Sequence, residues 1–203
     1  LSSKEFLSYV DWSRTQAYSL GLGKVFINKL GREANGTVDD TEYDDVVSRI
    51  IADLEAVTDV DGTKVVTSAQ RRDVLFDGPW VRENYEGSLT YKVRGERRQV
   101  DQWDGFADIF LGYAPYYRVS WANTMGGLDS AAIVDNKNHW SGGHVSVDPL
   151  HVAGIFFSNR TLTEPETSGL IDMGPTMLAR YQLDPATTDM DGHVVPLEGV
   201  VSK

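Results

Sequence analysis

VAGIFF, residues 152–157, is the stretch on which the fold reading turns. The run is apolar without alternation, carries no charge and is too short for a typical helix. Such a segment fits a strand buried on both faces, as in a largely parallel sheet covered by helices. Working outward, KVVT (64–67), ADIFLGY (107–113) and YRVSW (117–121) also read as strands. DWSRTQAY (11–18) and KVFIN (24–28) read as short strands around the turn Gly21-Leu22-Gly23. Val46, Val47, Ile50, Ile51 and Leu54 recur at helical spacing and predict a helix over 42–54. Asp39-Asp40-Thr41 offers it N-cap oxygens, and acidic residues fill its first turn. A second helix is predicted over 170–181, with Asp172 as N-cap and Pro175 in the first turn, where proline is tolerated. Strands and helices alternate, which predicts an α/β layered domain. The Arg- and Glu-rich stretch 70–102 reads as a solvated, partly irregular face, with an insertion on the core fold as the alternative.

A chain of 203 residues suits one domain or a large piece of one. A net charge of -11 argues against non-specific binding to nucleic acid or an anionic membrane, since like charges repel. A phosphorylated substrate would therefore need a local cation, either a metal ion or arginines. No stretch has the length and apolarity of a membrane-spanning helix. The absence of cysteine removes disulfides, thiol catalysis and thiolate metal sites, and leaves the compartment open. Asn35-Gly36-Thr37 and Asn159-Arg160-Thr161 match the glycosylation acceptor pattern, which is common by chance. The first residue is Leu1 rather than Met, which fits either processing or a piece of a longer polypeptide.

The four histidines, His139, His144, His151 and His193, fall in the last third of the chain without the spacing of a helical zinc motif. His144 has the most suggestive setting. In WSGGHVSVDP (140–149) two glycines precede it, so the backbone can bend sharply and present the imidazole. The bland alternative is a turn histidine. Ser141-Gly142-Gly143 lacks a nucleophile elbow, and Gly21-Leu22-Gly23 lacks the third glycine and following helix of a dinucleotide site. The pairs Asp39-Asp40 and Asp44-Asp45 read as a solvated helix start. Tyr116, Tyr117, Trp121 and Trp140 read as core aromatics, with a pocket wall as the alternative.

Several of these stretches in order resemble one family. They are Asp11-Trp12-Ser13-Arg14-Thr15 with Ala17-Tyr18, Gly21-Leu22-Gly23, and Gly31-Arg32-Glu33. Further on come residues 107–113, residues 117–121, Trp140-Ser141-Gly142-Gly143-His144, and Ser158-Asn159-Arg160. Asp172 with Pro175 and Thr176, and the final Met190-Asp191-Gly192, complete the set. Together they resemble the C-terminal half of type I phosphodiesterase/nucleotide pyrophosphatase proteins of the alkaline phosphatase superfamily. The resemblance implies part of a three-layer α/β/α sandwich with a largely parallel central sheet over 1–203, lacking its catalytic N-terminal portion. It implies a hydrolase of phosphodiester or pyrophosphate bonds with two divalent metal ions, commonly zinc, bound by Asp and His around a Thr or Ser nucleophile. The nucleophile and most metal ligands are expected upstream of Leu1. His144 matches the last metal ligand, and Arg14, Asn138 and Trp140 are candidates for the substrate pocket wall. Relatives carry Asp immediately before that histidine where this chain has Gly143, so a carboxylate orienting the imidazole is not expected from that position.

The implied partners are a phosphorylated small molecule, nucleotides included, and the missing N-terminal portion, with no nucleic acid scaffold. On this reading the isolated fragment is inactive. The reading from another class is a non-catalytic binding or structural domain that keeps the fold.

Overall fold

The computed structural model describes residues 7–75, 88–93, 96–101, 105–124, 126–127, 129–137, 139, 142–143, 145, 148–163, 168–188, 190 and 192–198. The chain divides into two units, one of residues 1–75 and 87–152 and the other of residues 76–86 and 153–203.

In the first unit, a four-stranded sheet is built from β1 (Ala17–Ser19), β2 (Lys24–Ile27), β3 (Val66–Arg71) and β6 (Ile109–Tyr113). Its order is β1-β2-β6-β3, and each neighbouring pair is antiparallel. A hairpin joins β1 to β2 through Gly21-Leu22-Gly23, all three at positive φ. Glycine takes that conformation without steric cost. Gly21 also packs so closely on Thr124 that a Cβ there would lie 2.4 Å from the threonine hydroxyl. The helix α1 (Tyr43–Glu55) connects β2 to β3.

This architecture overturns the expected three-layer α/β/α sandwich with a largely parallel sheet. The β2-α1-β3 crossover is the unit from which parallel sheets are built, and β2 and β3 do run in the same direction. However, β6 pairs with both of them and lies between, antiparallel to each, in a split β-α-β arrangement. The residues 152–157 form no strand; Val152, Ile155, Phe156 and Phe157 are all exposed, Phe157 at 89%. An apolar run shows that burial is favourable, but a strand also needs a partner for its backbone, and no strand pairs with this one among the described residues.

The helix prediction over 42–54 agrees with α1 to within a residue. Val46 and Val47 are buried, and Ile50, Ile51 and Leu54 pack on the core made by Val25, Ile27, Val66, Ile109 and Leu111. Asp39 Oδ1 accepts from the Thr41 N–H at 2.8 Å and the Glu42 N–H at 3.0 Å, satisfying amides at the helix start. Elsewhere the predicted elements are shorter. Within 11–18, Trp12–Arg14 is a 3-10 turn capped by Asp11. Within 117–121, no strand forms, and Trp121 opens the short helix α3 (Trp121–Thr124).

Of the charged stretch 70–102, the described part includes the end of β3, the one-turn helix α2 (Arg72–Leu75) and the hairpin β4 (Ser88–Val93) to β5 (Glu96–Asp101). Residues 76–87 and 94–95 of that stretch lie outside the described residues, as does 102.

In the second unit, β7 (Thr161–Leu162) pairs with β8 (Leu197–Glu198). Helix α4 (Met173–Arg180) follows a 3-10 turn at Leu170–Asp172, with Pro175 buried in its first turn. The predicted turn at 189–192 falls partly outside the described residues, at Asp189 and Asp191.

Candidate functional site

Strand β6 ends at Tyr113, and its direction carries the chain into a tight turn. The Ala114 N–H still bonds Val65 O at 3.0 Å, extending the sheet by one rung. Pro115 then blocks further strand pairing by removing a donor. The Tyr117 N–H closes the turn on Ala114 O at 3.1 Å. The turn and Arg118 form one wall of a cleft of about 220 Å³, and Gly142, Gly143 and Val145 form another. These wall residues flank His144 in sequence, while His144 itself lies outside the described residues.

Arg118 ties the two walls together. Its Nη1 donates to Gly142 O at 3.3 Å, and its guanidinium carbon lies 5.8 Å from the centre of the Trp121 ring. A Cβ added to Gly143 would lie 3.5 Å from Arg118 Cδ, so the glycine backbone packs along the arginine stem. Tyr117 donates its hydroxyl to Asp59 Oδ2 at 2.8 Å, which pushes the phenol pKa up and pins the ring to the 59–62 turn. Burial pushes the Tyr113 phenol up as well. Both phenols stay neutral near pH 7, leaving Arg118 as the charged group on the described lining.

Of the sequence-predicted site residues, Arg14 is among those described. Arg14 is exposed at the end of the 12–14 turn and does not line this cleft. Asn138 and Trp140 lie outside the described residues, as His144 does. His139 and His151 are exposed. Arg118 was missed by sequence reasoning because 117–121 read as a strand. Pro115 was the available signal that the chain turns there and that Tyr116 leaves the core, while Tyr117 still packs against it.

Among the described residues, no three His, Asp or Glu side chains converge so as to hold a metal ion. That set alone does not fit the metal centre implied by the resemblance, so the metal reading rests on His144.

In the second unit, Asp172 is almost fully buried and accepts from the His193 N–H at 2.9 Å and the Gly169 N–H at 2.7 Å. Its Oδ1 also lies 2.8 Å from His193 Nδ1. The His193 and Gly169 N–H bonds hold the Asp172 pKa below the ordinary carboxylate value. Its stabilising effect is thus present above the unfolded carboxylate pKa of about 3.9 and lost as pH falls through the lower folded value. Asp172→Ala should accelerate hydrogen exchange at the Gly169 and His193 amides, measured by NMR, and remove that acid dependence. Unchanged protection would show that other contacts hold the segment at His193.

Comparison with family models, with curated proteins and with solved structures gives no match, so the site is defined by its own geometry: an arginine and three tyrosines facing a glycine pair.

Proposed function

We propose that this chain is part of a metal-dependent phosphohydrolase acting on phosphodiester or pyrophosphate bonds, with the cleft beside residues 142–145 as its share of the substrate site. One observation carries the reading: the residues on either side of His144 line the same cleft as Arg118. A phosphoryl group needs local positive charge in a chain of net charge -11. The Arg118 guanidinium supplies it, oriented by Gly142 O and the Trp121 ring rather than left to sample many rotamers.

His144 is proposed as one ligand of a divalent metal, commonly zinc, which when bound would stabilise charge on the phosphoryl group. The remaining ligands and the nucleophile would come from sequence outside these 203 residues. The motif resemblance supports the chemistry, and the antiparallel sheet replaces the fold it implied.

The test combines binding and turnover. Inorganic phosphate titrated into the chain should perturb the Arg118 and Gly143 resonances, and Arg118→Gln should weaken it about tenfold, the loss of one charge-assisted contact. With a nitrophenyl phosphodiester and zinc, the chain alone should be silent. A longer polypeptide should turn over and lose its activity on His144→Ala. Zinc-dependent turnover by the 203-residue chain alone would overturn the division of labour. Phosphate binding with no turnover by the longer polypeptide would leave the non-catalytic binding domain as the correct class.

A further inference from the structure

Tyr116 occupies a position its turn reserves for glycine. In the four residues Ala114 to Tyr117, the Tyr117 N–H bonds Ala114 O, Pro115 stands second, and Tyr116 stands third with φ of +74°. That is the arrangement of a type II turn, whose third residue is ordinarily glycine or asparagine because the left-handed region crowds a Cβ. Two other non-glycine residues at positive φ sit where such a backbone has a structural purpose. Leu22 lies in the β1–β2 hairpin turn, and Gln182 just follows the end of α4. Tyr116 likewise holds a turn position, the one that closes the end of β6, but with a bulky side chain. Its side chain stands free in solvent at 104% of the reference exposure, so no packing offsets the conformational cost. Strain without packing gain, at the rim of a cleft, points to a role in binding.

We propose that Tyr116 is a specificity-determining residue that selects ligands carrying a flat aromatic group next to their anionic group. The inference rests on the cleft being the phosphate-binding site. Tyr116 and Arg118, two residues on, both line the cleft. A ligand with its anion on Arg118 could lay an attached ring against Tyr116. The tyrosine ring is rigid and loses little entropy when it stacks, and the ligand ring removes its exposed face from water. Tyr117 is less available for stacking, since its ring packs against the core and its hydroxyl is tied to Asp59.

The experiment compares phenyl phosphate with methyl phosphate, titrated by NMR into the wild-type chain and into Tyr116→Gly and Tyr116→Phe. Phenyl phosphate should bind the wild type about tenfold more tightly than methyl phosphate, within the range of one aromatic stack. Tyr116→Phe should keep that preference because it keeps the ring. Tyr116→Gly should abolish it, leave methyl phosphate binding within about twofold, and raise Tm by about 1–4 °C by relieving the backbone. A folded Tyr116→Gly variant that retains the preference would overturn the inference alone, as would a wild type with no preference between two bound phosphates. If neither phosphate binds the wild type, the inference falls together with the phosphate-site reading.

Discussion

Asp108→Ala is expected to destabilise the first unit by roughly 3–5 kcal/mol, the range for removing one partner of a buried ion pair. Asp108 is 1% exposed and stands just ahead of β6. Its Oδ2 accepts from Arg32 Nη2 at 2.7 Å and from the Ile27 N–H at 2.6 Å. Its Oδ1 accepts from Arg32 Nη1 at 3.0 Å and from the Tyr43 hydroxyl at 2.7 Å. One carboxylate thus joins β2, the loop after it and α1. Removing it would leave the Arg32 guanidinium buried, with Glu33 and the Ile27 carbonyl as its remaining partners in this network. Urea denaturation should show a fall in midpoint with little change in slope. Combining Asp108→Leu with Arg32→Met should cost less than the sum of the single losses, because the pair then leaves together. Additive losses would show that the two residues act independently.

The same carboxylate sets an acid limit. Burial pushes the Asp108 pKa up, but the Arg32, Ile27 and Tyr43 hydrogen bonds and the Arg32 charge outweigh it, and the net direction is down. A depressed folded pKa contributes stability that is complete above the unfolded carboxylate value of about 3.9 and disappears as pH falls through the folded one. The wild type should therefore lose stability below about pH 4 more steeply than Asp108→Asn.

Gly36→Ala is expected to cost about 1–3 kcal/mol or more, through overpacking against backbone. An added Cβ would lie 2.1 Å from Lys29 O and 2.6 Å from Leu30 Cα, and neither atom can rotate away. The loop has little freedom to yield. The Thr37 and Val38 amides bond Asn28 O at 2.8 and 3.0 Å, and Asn28 Nδ2 reaches Thr15 O at 2.7 Å and Asn35 O at 3.0 Å. Gly105→Ala is the matched control, since a Cβ there meets nothing within 4 Å. Thermal denaturation should separate the two. Equal melting temperatures would show that the 29–38 loop rearranges freely.

The sequence made α1 legible because its apolar residues recur on one face and that face does meet the core. The strands β2 and β6 were legible as apolar segments. Their partners were not, since pairing is a long-range choice: β6 lies more than eighty residues beyond β2 and still pairs beside it. The run 152–157 misled because hydrophobicity records a preference for burial, not whether a neighbour exists to provide it. At the cleft, the glycines before His144 were a usable signal, and Pro115 should have moved Tyr116 out of the core. Arg118 lay inside the 117–121 stretch of the resemblance, but as one residue of a predicted strand it was given no role of its own. Its role depends on which backbone carbonyl and which indole lie near it in space.

The insertion of β6 between β2 and β3 has a consequence during synthesis. When the ribosome has released everything through residue 75, β2 and β3 each lack their common neighbour, and two rows of amides and carbonyls have only water to bond. About forty more residues must emerge before residues 109–113 can fill the gap. The nascent chain therefore spends that interval with open strand edges, when a chaperone or a rapid downstream collapse matters most.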